Sequence, residues 1–157
     1  GPLTNPSSPA RQMTGVFHPD ILPLYARAAA ELSFEKIILY SSSNGMDEVS
    51  PLYPTHVYEV HDTSISTFSI DPSGYISQQE AHSIPVNCSA MENAELFMET
   101  ISSPGHTSLG KVLALNTALA LYTLGLNDSI ESNFNDALDA IHGGTVNSRL
   151  AMLRQEI

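Results

Sequence analysis

The sequence predicts an α/β fold with a mixed, mostly parallel sheet and flanking helices. Residues 12–17 and 37–40 are short β-rich runs separated by a helical pattern over 19–33. A strand–helix–strand unit of this size pairs its two strands in parallel, with a right-handed crossover. Two further β-rich runs, 55–60 and 65–70, flank a short polar segment and predict a hairpin at an edge of the sheet.

The first helix is predicted to begin at Pro19 and Asp20. Proline suits the first helical position, and an acidic residue there complements the helix dipole. We interpret His18 as a helix-start residue and not as a metal ligand, because no second ligand lies near it in sequence. The face turned to the core is predicted from one apolar stripe at helical spacing: Ile21, Leu24, Tyr25, Ala28, Ala29 and Leu32.

Helical patterns fill the last third of the chain. Residues 91–101 predict one helix, and residues 108–124 are apolar on nearly every side, which predicts a buried helix. A capping-box pattern, Asp128 with Glu131, starts a third helix with an apolar stripe over 130–141. A short final helix follows a glycine pair. Asn116, inside the buried helix, is interpreted as a hydrogen-bonded structural residue.

Length and charge limit the classes of function. A chain of 157 residues fits one domain with a sizeable core. A net charge of −11, with six Lys and Arg in all, makes nucleic-acid binding unfavourable because phosphate contact needs clustered cations. An anionic substrate would need a metal ion or basic residues from elsewhere. No apolar run is long enough for a membrane span, and the single Cys88 fits a reducing, cytoplasmic compartment.

The most informative stretch is the polar segment 41–51, which follows the buried strand at 37–40. Ligands of open α/β sheets bind at loops that leave the carboxyl ends of strands. Asp47 and Glu48 are adjacent there, and Asn44 and Gly45 provide the backbone freedom for both acids to face one site. Two interpretations remain open on spacing alone. One is a solvated acidic turn, and the other is a Mg²⁺ site completed by substrate phosphates.

Three histidines, His56, His61 and His82, fall in the middle of the chain, the last of them within a predicted loop over 71–87. Three histidines raise the question of a transition-metal site. Their spacing matches no common ligand pattern, so the sequence does not favour one.

Several segments together carry a resemblance to a known family. Segment 1–6 reads Gly-Pro-Leu-Thr-Asn-Pro, segment 15–17 reads Gly-Val-Phe, and segment 45–51 reads Gly-Met-Asp-Glu-Val-Ser-Pro. In this order they resemble the carboxyl-terminal half of the anthranilate phosphoribosyltransferase family, over nearly the whole chain. Segments 41–43 and 71–75 depart from the family pattern in loops.

The resemblance implies a fold, an activity and a set of site residues. The fold is part of the nucleoside phosphorylase/phosphoribosyltransferase-type α/β domain. The activity is transfer of phosphoribosyl from phosphoribosyl pyrophosphate (PRPP) to the amine of anthranilate, in tryptophan biosynthesis. Asp47 and Glu48 would bind Mg²⁺ with PRPP, and Gly1, Pro2 and Leu3 would border the anthranilate pocket without performing a chemical step.

The resemblance also implies that the chain is part of a longer homodimeric enzyme. The small helical domain and the glycine-rich PRPP loop of the family would precede Gly1, so residues 1–157 alone are expected to be inactive. Two alternatives stay open. One is a pyrimidine nucleoside phosphorylase-like enzyme of the same fold, and the other is a non-catalytic α/β domain that binds a partner or a nucleotide. A glycine-rich phosphate loop upstream would favour the enzyme.

Overall fold

One mixed four-stranded sheet forms the centre of the computed structural model, which describes residues 2–103 and 105–154. The strands lie in the order β1-β2-β3-β4. Their bounds are β1 Arg11–Gly15, β2 Lys36–Ser42, β3 Thr55–His61 and β4 Ser64–Ile70. β1 and β2 are parallel, whereas β2–β3 and β3–β4 are antiparallel. The predicted mixed α/β sheet and its parallel β1–β2 pair are therefore confirmed.

The hairpin is also confirmed, but the sheet differs from expectation in two respects. Among the described strands, two of the three pairings are antiparallel, so the expected parallel majority is not found in this part of the sheet. β3 pairs on both of its sides, so only β4 of the hairpin lies at an edge. The chain turns between β3 and β4 at Asp62, which has a left-handed φ of 52°.

Six α-helices are present in the described residues. Their bounds are α1 Leu22–Ala30, α2 Gln78–His82, α3 Ala90–Ser102, α4 Ser108–Leu124, α5 Ile130–His142 and α6 Thr145–Leu153. The bounds of α4 match the prediction. The predicted loop 71–87 was wrong in part, because a capping box between Ser77 and Glu80 starts α2 there. The cap of α5 is Ser129, which accepts from the Ser132 N–H, and not Asp128.

The apolar stripe predicted for the first helix is confirmed in part. Leu22, Ala26 and Ala29 are the buried positions of α1, while Leu24 is 59% exposed. The chain makes a short 3₁₀ turn over Pro19–Ile21 before α1 begins. Ile21 and Tyr25 pack partly buried against the same core as Ala29, so the predicted stripe holds at these three positions. It fails at Leu24, Ala28 and Leu32, which are exposed because the buried face of α1 is centred on Leu22, Ala26 and Ala29.

The two faces of the sheet build two cores. β2 is buried at all seven positions, which explains its continuous apolar run. Ile38 and Tyr40 face a core that α4 and α5 complete, whereas Ile37 and Leu39 face the core made with α1. The predicted buried helix is thus confirmed in α4. No helix of the described part of the chain is long and apolar enough to cross a membrane.

A histidine pair lies where α4 begins and α5 ends. The rings of His106 and His142 meet edge to face, with centroids 4.0 Å apart and planes at 85°. Both ring nitrogens of His142 are buried, and neither has a hydrogen-bond partner among the described residues. Burial lowers the pKa of His142, the nearby His106 lowers it further, and Asp139 opposes the shift.

This pair predicts a loss of stability on acidification. Because the pKa of His142 is lower in the folded chain than in the unfolded one, the unfolded chain binds the proton first. The stabilising contribution is complete above about pH 6.5 and is lost as the pH falls below it, with a slope of at most about 1.4 kcal/mol per pH unit. Urea unfolding between pH 5 and 8 should show a shallower slope for His142→Leu than for the wild type or for His61→Gln. Equal slopes in all three would contradict the assignment.

Candidate functional site

The predicted acidic loop leaves the carboxyl end of β2 and returns at β3. Its first turn is closed by two backbone hydrogen bonds, from the Ser42 N–H to the Met46 carbonyl (3.0 Å) and from the Gly45 N–H to the Ser42 carbonyl (2.8 Å). Gly45 has a φ of +83°, which favours glycine, so its predicted role in shaping the loop is confirmed.

A buried group of hydroxyls holds the second half of the loop. The Ser42 hydroxyl donates to the Glu48 carbonyl (2.7 Å) and lies 2.6 Å from the Thr55 hydroxyl. The Ser50 N–H donates to Ser42 Oγ (3.0 Å) and reaches Thr55 Oγ1 (3.3 Å). Ser42, Ser50 and Thr55 are all 0% exposed, so these bonds are shielded from water. We call Ser42, Ser50 and Thr55 the hydroxyl cluster.

Asn116 of α4 binds the backbone of Val49, which lies between Glu48 and Ser50, the two residues whose backbone contacts the hydroxyl cluster. Its Oδ1 accepts from the Val49 N–H (2.9 Å), and its Nδ2 donates to the Val49 carbonyl (3.1 Å) and to the Val112 carbonyl (3.0 Å). The predicted structural role of Asn116 is confirmed. The backbone from Glu48 to Ser50 is therefore fixed from the sheet on one side and from a helix on the other.

The end of β1, at Gly15, packs against the backbone of the loop at Asp47. A Cβ atom added to Gly15 would lie only 1.8 Å from the Asp47 carbonyl oxygen. Real Cβ atoms do not come this close to an oxygen, so only glycine allows the loop backbone to rest on the end of β1. The position of Asp47 thus depends on a residue 32 positions earlier in the sequence.

The side chains of Asp47 and Glu48 are exposed above this fixed backbone. Partial burial raises the pKa of the Glu48 carboxyl, and the charge of Asp47 adds to the shift. The pKa of Tyr40 is raised to about 12, first by its burial and then by the charges of Glu48 and Asp47. The two carboxylates are therefore close enough to interact electrostatically with each other and with Tyr40. A cation bound between them would relieve their repulsion.

The donor set fits a hard cation. Carboxylate oxygens are the ligands that Mg²⁺ prefers, and Mg²⁺ commonly takes only one or two of them from protein. No group of three His, Cys, Asp or Glu side chains able to hold a metal occurs among residues 2–103 and 105–154. The remaining ligands of a cation at Asp47 and Glu48 would come from water or from an anionic substrate.

The amino-terminal residues lie elsewhere. Gly1 is outside the described residues, and Pro2–Thr4 forms a 3₁₀ turn. Leu3 lines a shallow cavity of about 240 Å³ with Leu32, Ser33 and Phe34, which precede β2. From Lys36 to Tyr40 alone β2 rises about 13 Å. Leu3 is therefore near the amino end of β2 while Asp47 is near its carboxyl end, and the structure does not bring the two together.

Each predicted histidine makes a local contact. His18 caps the turn before α1 by accepting from the Asp20 N–H (3.2 Å), so its predicted role is confirmed. His56 contacts the Ser43 hydroxyl (3.0 Å), His61 lies beside Asp62, and His82 contacts the Gln78 carbonyl (2.7 Å). These side chains share no ligand site within the described part of the chain.

Comparison with known proteins identifies the family. The sequence profile of the glycosyl transferase family, a/b domain, matches residues 1–147. The chain belongs to this family. The resemblance drawn from segments 1–6 and 45–51 is confirmed by the names of the chain's relatives.

Those relatives carry a more specific name. Anthranilate phosphoribosyltransferase of Aromatoleum aromaticum is 32% identical over 151 residues, covering 96% of this chain and 43% of the relative. The protein of the same name from Bacillus velezensis is 30% identical over 157 residues, covering 99% of this chain and 46% of the relative. The glycosyl transferase domain described here thus spans less than half the length of these curated relatives.

Solved structures agree with the fold. Anthranilate phosphoribosyltransferase from Saccharomyces cerevisiae in complex with PRPP and Mg superposes with a TM-score of 0.77 at 26% identity, over 92% of this chain and 42% of that one. The same yeast protein in complex with 4-fluoroanthranilate also gives a TM-score of 0.77.

Sequence reasoning placed Asp47 and Glu48 correctly in the loop that follows β2, but it missed the contacts that hold this loop. The hydroxyl cluster joins residues up to 13 positions apart, and the Gly15 contact spans 32 positions. One local signal was available, because Ser41 and Ser42 directly continue the apolar run of β2 and serine is mostly exposed in proteins.

Proposed function

We propose that this chain is the carboxyl-terminal portion of the α/β domain of an anthranilate phosphoribosyltransferase. Such an enzyme moves phosphoribosyl from PRPP to the amine of anthranilate and gives phosphoribosyl anthranilate, a step of tryptophan biosynthesis. The observation that carries the proposal is the exposed Asp47–Glu48 pair, rigidly held at the carboxyl end of β2 in a domain of the glycosyl transferase family.

Asp47 and Glu48 would hold Mg²⁺ and would not act as bases. When bound, Mg²⁺ supplies charge neutralisation for the departing pyrophosphate. The chain itself keeps two carboxylate groups at a fixed position relative to the sheet, which orients whatever they bind. The amine of anthranilate displaces pyrophosphate at C1 of the ribose, so the C1–O bond breaks and a C1–N bond forms.

The described chain offers few cations for the pyrophosphate. Arg11, Lys36 and Lys111 are already paired with Glu35, Glu59 and Glu80. We therefore place the small helical domain and the glycine-rich PRPP loop in the length of the relatives that this chain does not span. Residues 1–157 alone should show no turnover with Mg²⁺, PRPP and anthranilate, and turnover near that of an intact relative would contradict this division of roles.

The amino-terminal residues are assigned to the other substrate, and we propose that Gly1, Pro2 and Leu3 border the anthranilate pocket in the longer enzyme. Leu3 contacts the amino-terminal side of the sheet, whereas Asp47 lies near the carboxyl end of β2. For both to line one continuous active site, segment 1–9 would follow another path in that enzyme. For that longer enzyme we also propose a homodimer and a cytoplasmic location. The single Cys88 supports the location, because a lone cysteine suits a reducing compartment.

Substitution of the acid pair tests the proposal. In the longer enzyme, Asp47→Asn or Glu48→Gln removes a hard oxygen ligand, and Mg²⁺-dependent PRPP binding should weaken by at least about 10-fold, while anthranilate binding is retained. Calorimetric titration with each substrate, with and without Mg²⁺, measures both quantities. Asp62→Asn is the matched control, because Asp62 is an exposed acid in the β3–β4 turn and asparagine tolerates its left-handed φ.

Other outcomes would favour the alternative interpretations of the sequence, a nucleoside phosphorylase-like enzyme or a non-catalytic domain. Equal loss for both substrates, or none for either, would count against the metal assignment. Binding of a nucleoside and phosphate without dependence on Mg²⁺ would favour a nucleoside phosphorylase-like enzyme. Absence of binding to any of these ligands would favour a non-catalytic domain.

A further inference from the structure

We propose that Ser42 is a positioning residue for the Asp47–Glu48 pair, because its hydroxyl fixes the backbone that carries both acids. The consequence for metal binding rests on the function proposed above, whereas the positioning itself does not. Ser42 touches no ligand in this assignment, and it acts through the peptide of Glu48.

The hydrogen bonds of Ser42 use its whole capacity. A serine hydroxyl has one proton to donate and two lone pairs that accept. The proton goes to the Glu48 carbonyl at 2.7 Å, since a carbonyl can only accept. The lone pairs then accept from the Ser50 N–H at 3.0 Å and from Thr55 at 2.6 Å, so Thr55 is the donor in the serine–threonine contact.

These bonds fix consecutive peptides. Ser42 holds the carbonyl of Glu48 and the N–H of Ser50, while Asn116 holds both polar groups of Val49 between them. Two adjacent carboxylates repel each other and favour an opened loop when no cation is present. The hydroxyl cluster opposes that opening, so the two acids stay preorganised for a cation.

The neighbouring serine makes a natural comparison. Ser41 and Ser42 are adjacent on β2 and are both 0% exposed, but they point to opposite faces of the sheet. Within the described part of the chain, the Ser41 hydroxyl has no hydrogen-bond partner. Two equally buried serines therefore differ in their hydrogen bonding: Ser42 makes hydrogen bonds to Glu48, Ser50 and Thr55, whereas Ser41 makes none to the described residues.

Four variants of the 157-residue chain test the proposal. Ser42→Ala and Thr55→Val remove a hydroxyl from the cluster, whereas Ser41→Ala removes the unused one and Thr55→Ser keeps the one that is used. Three quantities are measured: Mg²⁺ affinity from NMR shifts of Asp47 and Glu48 on titration with Mg²⁺ alone, hydrogen exchange of the Ser50 N–H, and urea unfolding.

We expect Ser42→Ala and Thr55→Val to weaken Mg²⁺ binding about 10-fold, the lower end of what loss of an outer-shell partner costs. Both should also speed exchange of the Ser50 N–H by more than any loss of global stability explains. Ser41→Ala and Thr55→Ser should leave both quantities at the wild-type value. If Ser42→Ala does not fold, the comparison of Thr55→Val with Thr55→Ser gives the same answer.

The outcomes separate the positioning role from the metal function. Ser42→Ala or Thr55→Val with lower global stability but unchanged Mg²⁺ affinity and Ser50 exchange would overturn the positioning role. Faster Ser50 exchange in these variants, in a wild-type chain whose Asp47 and Glu48 do not respond to Mg²⁺, would support the positioning role and overturn the metal function instead.

Discussion

Gly15→Ala is expected to destabilise the chain by about 3 kcal/mol or more and to abolish cation binding at Asp47 and Glu48. The added Cβ would lie 1.8 Å from the Asp47 carbonyl oxygen, so β1 or the loop must move by more than 1 Å. Overpacking of a well-packed site commonly costs about 1–3 kcal/mol, and here the clash is with backbone, which yields less than a flexible side chain. Urea unfolding and Mg²⁺ titration measure the two effects.

Gly74→Ala is the matched control. Gly74 has open space within 4 Å of its added Cβ, and its φ is not in the left-handed region. A surface substitution of this kind usually changes stability by no more than about 0.5 kcal/mol. Wild-type stability and Mg²⁺ binding in Gly15→Ala would show that the loop backbone does not rest on β1.

The elements that the sequence predicted well are those whose pattern is set by their own residues. β2 is buried on both faces, so its apolar run is continuous and unmistakable. α4 begins after the Thr107 cap and ends at Gly125, which has a left-handed φ of +73°. The position of Asp47 and Glu48 in the loop after β2 was predicted for the same reason, since the two acids are adjacent in the sequence and follow the apolar run.

The features that the sequence did not predict depend on contacts between distant residues. Burial of Leu22 and exposure of Leu24 depend on how α1 packs on β2 and β3. The hydroxyl cluster needs β2 and β3 to pair with Ser42 opposite Thr55, a register that no local pattern specifies. The place of Leu3 depends on where segment 1–9 packs, and its three prolines specify only an extended path.

A second large effect is expected from a buried ion pair that joins β2, β3 and α4. Lys36 is 7% exposed, and its Nζ lies 3.0 Å from Glu59 Oε1 and donates to the Tyr122 carbonyl at 3.2 Å. The ammonium group also lies 3.7 Å from the centre of the Tyr122 ring. The Tyr122 hydroxyl donates to Glu59 Oε2 at 2.5 Å, so every member of this group contacts the other two.

Lys36→Met should lower the free energy of unfolding by about 3–5 kcal/mol, because it leaves the Glu59 carboxylate in the protein interior without its cation. Lys36→Met with Glu59→Leu removes both charges, and the double variant should recover most of that loss, since a buried ion pair is often no more stabilising than well-packed apolar residues. Urea unfolding of Lys36→Met, of Glu59→Leu and of the double variant gives the coupling energy between the two residues directly. If the loss in the double variant equals the sum of the losses in the two single variants, Lys36 and Glu59 do not stabilise each other and the prediction is contradicted.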